Sequence, residues 1–304
     1  SQTLNVGNQT SFDVVLKESD VNLDEVVVTA LGIKRAQKAL SYNVQEIKGD
    51  QLTGVKDVNL MNSLSGKVAG VNINASAAGI GGATRVVMRG SKSITKDNNA
   101  LYVIDGVPIF NANKGGLNQN NEYADQPRGE GISDLNPDDI ESMSVLTGPA
   151  AAALYGSNAA NGAIVITTKK GATGKPKVTI SNQTTFSRPF VMPDFQNKYG
   201  NKTGEYKSWG DVQNKYAYNP SDFFDTGATS QTSATLSVGT DKNQTFMSLG
   251  STKANGIIPE NDYMKYNATL RNTTKFLNDK MTLDFGFSYI KQKDQNMMAQ
   301  GQYY

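Results

Sequence analysis

The sequence predicts an α+β domain followed by about five antiparallel strands of a transmembrane β-barrel, on three observations. Up to Gly171 short helical and extended stretches mix, whereas after Lys175-Pro176 apolar and polar residues alternate with period two. The connections between the alternating stretches are unequal, tight on one side and long on the other. No apolar stretch approaches the roughly 20 residues that a spanning helix requires, so a membrane role falls to strands.

Composition removes several function classes. The 304 residues carry 30 Lys+Arg against 28 Asp+Glu, a net charge of +2, too little for a nucleic-acid surface. With no Cys there are neither disulfide staples nor thiolates, and with no His the commonest general base and zinc ligand are missing. The chain reads as a non-enzyme with no cofactor or resident metal. It starts at Ser1 without a charged-then-apolar leader, which reads as a mature or trimmed product.

Residues 1–20 form a first unit. Ser11–Glu18 alternates partly, as the last strand of a small sandwich or as a plain tail. Residues 21–33 follow as a linker, in which Asp24-Glu25 precede Val26-Val27-Val28-Thr29-Ala30. Its β-branched residues favour extended chain, with no partner strand nearby in sequence.

Residues 34–171 form the α+β domain. Asp57–Leu64 reads as a short amphipathic helix closed by Gly66, with Val58, Met61 and Leu64 on one face. Lys67–Ala75 reads as a strand with Val71 and Ile73 on one face, and Ala83–Arg89 as another, closed by Gly90. Arg85 and Arg89 share a face of that strand. Asp105-Gly106, between Leu101–Ile104 and Val107–Phe110, is the strongest short-range hairpin signal. Asn111–Ile132 is a long polar insertion in which Tyr123 and Arg128 are best suited to hold a polar ligand, by stacking or by bidentate hydrogen bonds. Asn136–Gly171 then reads as strand (Ile140–Leu146), a Gly148-Pro149 break, short helix (Ala150–Tyr155), turn and strand (Ala163–Thr168).

Residues 172–304 carry the alternation. Val178 and Ile180, then Ala234, Leu236 and Val238, then Met264, Tyr266, Ala268 and Leu270, then Leu283, Phe285, Phe287 and Tyr289 each alternate with polar neighbours. Asp241–Asn243 and Asn278–Lys280 are tight turns, while Phe186–Ser230 and Lys253–Asp262 are long connections. Outer-membrane barrels have this asymmetry, with short turns on the periplasmic side. Leu283, Phe285, Phe287 and Tyr289 then face lipid, and Asp284 and Ser288 the lumen. Five strands cannot close a barrel, and an open edge is not tolerated in lipid, so further strands are expected beyond these.

The ordered motifs LSGKVAGV, VVMRG, LYVIDGVPI and the run through ALYGS to ANGAIVITTKKG resemble the plug and first strands of SusC-like TonB-dependent outer-membrane transporters of Bacteroidetes. The resemblance implies a barrel of about 22 strands in the outer membrane of a Gram-negative cell. It also implies energised import of a glycan or oligopeptide, with the TonB C-terminal domain and a SusD-like surface lipoprotein as partners, in a dimer of such pairs. By the same resemblance Asp24, Glu25, Val26, Val27, Val28, Thr29 and Ala30 form the TonB box, an extended peptide that adds to another protein's sheet edge. Tyr123 and Arg128 then lie at the plug apex near substrate, and Arg85 and Arg89 pair with lumen carboxylates.

Rival readings have less support. Gly79-Ile80-Gly81-Gly82 lacks the Lys-Ser/Thr ending of a phosphate loop and reads as a turn. Asp134, Asp138, Asp139 and Glu141 lack the Gly and terminal Glu of an EF-hand and read as a capped turn. A secreted or surface β-rich adhesion or glycan-binding protein without transport is the alternative function.

Overall fold

The computed structural model describes residues 26–28, 34–36, 44–75, 79–94, 98–109, 130–194, 196, 198–206, 209–212 and 219–295. Two strands come first, β1 (Val26–Val28) and β2 (Lys34–Ala36), paired antiparallel with Val27 opposite Arg35. The trivaline segment therefore does have a partner strand close in sequence, contrary to the sequence reading. Periodicity could not show this, since Lys-Arg-Ala has no strand signature of its own.

The α+β domain is built on β3 (Val44–Lys48), β4 (Val71–Asn74), β5 (Arg85–Met88), β6 (Leu101–Ile104), β7 (Val107–Ile109), β8 (Ile140–Leu146) and β9 (Ala163–Thr168). Two helices join them, α1 (Gly49–Thr53) and α2 (Gly148–Tyr155). Five strands form the central sheet in the order β3-β8-β9-β6-β7, with β6 and β9 parallel and the other pairs antiparallel. β9 is apolar from Ala163 to Ile166 because both of its faces are covered there. Ile164 and Ile166 pack with Leu52, Leu60, Met61, Leu64, Ile132, Ile140 and Met143, while Ala163 and Val165 pack with Val44, Leu146, Ala151 and Ala159. β4 and β5 pair separately, and Val86 and Met88 join the first of these clusters.

Local chemistry explains where elements begin and end. Asp105 and Gly106 take φ of 47° and 86°, the positive pair that a two-residue type I′ hairpin needs. Pro149 fits the first turn of α2, so the helix starts at Gly148 rather than Ala150. The helix expected over Asp57–Leu64 is only a 3-10 helix at Leu60–Leu64. Asp57 accepts from the Asn59 amide at 2.9 Å and Asn59 from the Met61 amide at 3.1 Å. These side chains satisfy the backbone locally and hold off a longer helix.

The second half is one antiparallel sheet of five strands in sequence order, β10 (Gly174–Ser187), β11 (Gly227–Gly239), β12 (Asn243–Asn255), β13 (Asp262–Phe276) and β14 (Met281–Gln295). Only 188–226 is a long connection. β12 continues as strand through the polar Lys253-Ala254-Asn255, and residues 256–261 close tightly through the Gly256 amide on the Asn261 carbonyl at 2.7 Å. Long and short connections therefore do not alternate strictly. The alternation of faces holds. Val178, Ile180, Met247, Leu249, Tyr266, Leu283, Phe285, Phe287 and Tyr289 are exposed on the outer face, Phe287 to 55%. Phe246, Ser248, Tyr263, Lys265 and Asn267 are buried on the inner face, against the α+β domain.

Candidate functional site

The residues with most polar chemistry lie in the seam between the α+β domain and the inner face of the strands. The covalent link is residues 169–173. The Lys169 amide donates to the Asp139 carbonyl at 2.7 Å and its ammonium to the Asp138 carbonyl at 2.9 Å. Lys170 pairs with Asp284 of β14 at 2.5 Å, which confirms Asp284 as an inner-face residue. Ala172 donates its amide to Ser237 Oγ of β11 at 2.9 Å. Gly171 passes so close to β12 that a Cβ there would lie 2.3 Å from the Thr245 amide nitrogen. The link is thus fitted to the strand wall rather than draped over it.

Just before β8 the chain turns through Asn136-Pro137-Asp138-Asp139. Asn136 accepts from the Asp138 amide and Pro137 occupies the first position of a 3-10 turn, so this is the capped turn that the sequence suggested. Its geometry aims Asp138 at the wall. Lys56 Nζ donates to Asp138 Oδ2 at 2.6 Å and to Ser181 Oγ of β10 at 2.8 Å. Ser181 and Ser233 of β11 both donate to the same carboxylate oxygen. Gln183 completes the join by accepting from the Lys56 amide at 3.0 Å and donating to its carbonyl at 3.2 Å. One carboxylate therefore ties the domain to two strands and to the segment after α1. The side chains of Lys56 and Asp138 are only 5% and 14% exposed, so this pair is desolvated.

Titration follows from these surroundings. Burial alone would raise the Asp138 carboxyl, but hydrogen bonds from Lys56, Ser233 and Ser181 and the Lys56 charge outweigh it, holding the group below the ordinary carboxylate value. Asp139 is held above it, chiefly by burial, although Ser248 and Thr269 donate to it. Burial likewise raises Asp134, partly offset by the charge of Lys265.

Further contacts flank this centre. Arg271 of β13 pairs with Asp105, whose carboxylate also accepts from the Thr168 amide and hydroxyl, both at 2.9 Å. Lys265 donates to the Ser133 carbonyl at 2.6 Å. Gly79 and Gly81, with φ of 87° and 84°, let the Gly79–Gly82 turn lie flat on Asn261 and Tyr263, where a Cβ on Gly81 would lie 2.3 Å from the tyrosine ring. The Ile80 amide donates to Asn261 there at 3.2 Å. Between the Asn136–Asp139 turn and the wall lies a small polar cavity lined by Asn136, Asp138, Gln231, Ser233, Lys265 and Asn267. The Gln231 and Asn267 amide nitrogens are buried without a protein partner among the described residues.

The residues singled out in sequence fare differently. Val26, Val27 and Val28 form β1, while Asp24, Glu25, Thr29 and Ala30 lie outside the described residues, as do Tyr123 and Arg128. Arg85 and Arg89 are exposed, and Arg89, at φ 56°, lies past the end of β5, so the two do not share a strand face as expected. Among the described residues neither side chain bonds to β10–β14. The seam is made instead by Lys56, Asp105, Asp138, Lys265 and Arg271. Sequence offered one signal for two of these: Lys265 and Arg271 are cations on the inner face of a membrane-type strand, where a charge calls for a partner.

Residues 36–163 match the family model for the TonB-dependent Receptor Plug Domain. The TonB-dependent receptor SusC of Bacteroides thetaiotaomicron is 29% identical over 289 residues, covering 93% of this chain and 28% of that protein. The TonB-dependent receptor P3 of Formosa agariphila is 30% identical over 256 residues, covering 82% of this chain and 23% of that protein. Among solved structures, the RagAB peptide importer in its open-open state superposes with a TM-score of 0.70 at 21% identity, over 92% of this chain and 33% of that one. The chain thus spans between a quarter and a third of the length of SusC and of the RagAB chain.

Proposed function

The chain belongs to the SusC-like TonB-dependent receptors of the outer membrane, and from that premise we propose that it is the gating part of an energised importer. The plug, residues 34–171, occludes the lumen of a barrel of which β10–β14 are the first strands. The observation that carries this reading is the seam. Its plug side and its wall side are joined mainly by polar contacts that can exchange with water, with Phe246 and Tyr263 as the large apolar side chains buried on the wall side, so displacing the plug exposes chiefly polar groups.

The C-terminal domain of TonB adds a strand to Asp24–Ala30 and pulls. The pull enters the plug at β3, which among the described residues is an edge strand of the central sheet and pairs with β8 alone, over five residues. β8 and β9 are held by the Asp138 network and by the fitted link at 169–173. Loss of β3 therefore opens a path while the remainder stays attached. Substrate, a glycan or an oligopeptide, meets Tyr123 and Arg128 at the plug apex beneath a SusD-like lipoprotein, and two such pairs form the working assembly. Arg85 and Arg89 meet carboxylates of later strands. The energy comes from the inner membrane, so no catalytic group is called for.

Uptake by cells expressing the full-length receptor with Asp24–Ala30 deleted tests the reading. Import is expected to cease at unchanged surface abundance, and undiminished import refutes energised transport.

A further inference from the structure

Backbone pairing at the start of the chain has a mechanical meaning. Val26, Val27 and Val28 face Ala36, Arg35 and Lys34 in antiparallel register. One edge of the segment that we read as the energy-coupling box is therefore covered by the chain's own strand. We propose that the box is stored in a self-paired hairpin, which a strand-adding partner opens, releasing a length of chain before any load reaches the plug. The proposal rests on the box reading given above.

The direction of load sets the order of events. Val26 and Ala36 close the open end of the hairpin, and Ala36 leads on toward β3 at Val44. A pull on the box against an anchored plug separates Val26 from Ala36 first, so the pairs break one after another rather than together. Among the described residues three pairs resist, and an isolated two-stranded hairpin is marginal in water. β3 has five pairs to β8 and belongs to a five-stranded sheet with a packed core, so it gives way later.

The length released is set by the fold. Paired Cα atoms in an antiparallel ladder lie about 4.5–5.5 Å apart. Stretched out, the chain from Val26 to Ala36 reaches about 33–36 Å. Opening the hairpin therefore extends the tether by about 30 Å while the plug stays still. The same closure protects the box at rest, since an unpaired trivaline edge invites association with other chains.

A disulfide across the hairpin tests this. Val27 and Arg35 are Cα partners at a spacing a disulfide can bridge, and the chain carries no other Cys. The full-length receptor in detergent, as Val27→Cys/Arg35→Cys, is pulled through a bound TonB C-terminal domain in a force-extension experiment. The unaltered receptor and the reduced variant are expected to lengthen by about 30 Å at the lowest force, before any plug event. The oxidised variant is expected to lose that step alone. Val26→Cys/Ala36→Cys repeats the test if the first pair weakens capture. Normal capture without such a step, or a step that survives oxidation, overturns the hairpin and leaves the box reading intact. Capture by a receptor lacking Asp24–Ala30 overturns both.

Discussion

Asp138→Ala in the full-length receptor should loosen the plug from its wall far more than loss of a single surface charge would. The substitution removes the acceptor shared by Lys56, Ser181 and Ser233. The two serine hydroxyls, 2.9 Å apart, can still bond to each other, but Lys56 is left as a cation with a side chain 5% exposed. Removing one partner of a buried pair costs about 3–5 kcal/mol because the other charge stays uncompensated. At about 1.4 kcal/mol per decade, this is roughly a hundredfold to a few thousandfold faster local opening. Native-state hydrogen exchange at the amides of β8 reads that opening directly. The partner experiment is Lys56→Met/Asp138→Leu, which removes both charges and fills their volume, so its exchange should lie close to that of the parent. Less than tenfold acceleration in Asp138→Ala, or a double variant that opens faster than the single one, refutes the desolvated-pair argument.

The remaining expectations concern the same seam and the outer face. Asp138 has a folded value below its unfolded value of about 3.9, so its contribution is complete above that pH and is lost as pH falls through the folded value. Asp139 has the opposite sign: raised by burial, its contribution is complete below about pH 3.9 and is lost as pH rises through the folded value. Asp139→Asn should therefore weaken the decline in seam protection as pH rises from about 4, leaving the part that the raised Asp134 contributes, measured by hydrogen exchange across pH; an unchanged profile rejects the assignment. Gly171→Val drives a side chain into the β12 backbone and should cost about 1–3 kcal/mol in denaturant unfolding, and a neutral result denies the close approach. Phe285→Arg on the outer face should cost roughly 2–4 kcal/mol near the bilayer midplane, whereas Ser288→Arg, on the lumen face, should be tolerated; equal effects would remove the lipid assignment.

What the sequence shows depends on how far apart the interacting residues stand. β9 is legible because covering both faces demands an unbroken apolar run, and Ala163–Ile166 is one, ahead of Thr167 and Thr168 at the strand's end. The Asp105-Gly106 turn is legible because positive φ at two successive residues selects those types. The wall strands are legible from period two alone. The seam is another matter. Lys56 meets Asp138 across 82 positions and Asp105 meets Arg271 across 166, and nothing local tells which residue partners which, even where the cation itself stands out, as Arg271 does. Arg85 and Arg89 drew notice by spacing, yet strand spacing fails once Arg89 leaves the extended region. The Gly79–Gly82 run is legible as a turn, but its closeness to Tyr263 depends on a strand that arrives much later in the chain.

Asp105 has a consequence for building hybrids. It is the first residue of a tight turn, the acceptor for the last residue of β9, and the counter-charge of Arg271 on the fourth wall strand. The plug therefore cannot be exchanged between relatives by cutting at Gly171 alone. A transplanted plug without a carboxylate at this corner would leave Arg271 facing the lumen unpaired. A transplanted wall without the arginine would leave the acid to Thr168 only. Modularity here is set by matched pairs of side chains across the seam, and chimaeras that carry those pairs together are the ones that should assemble.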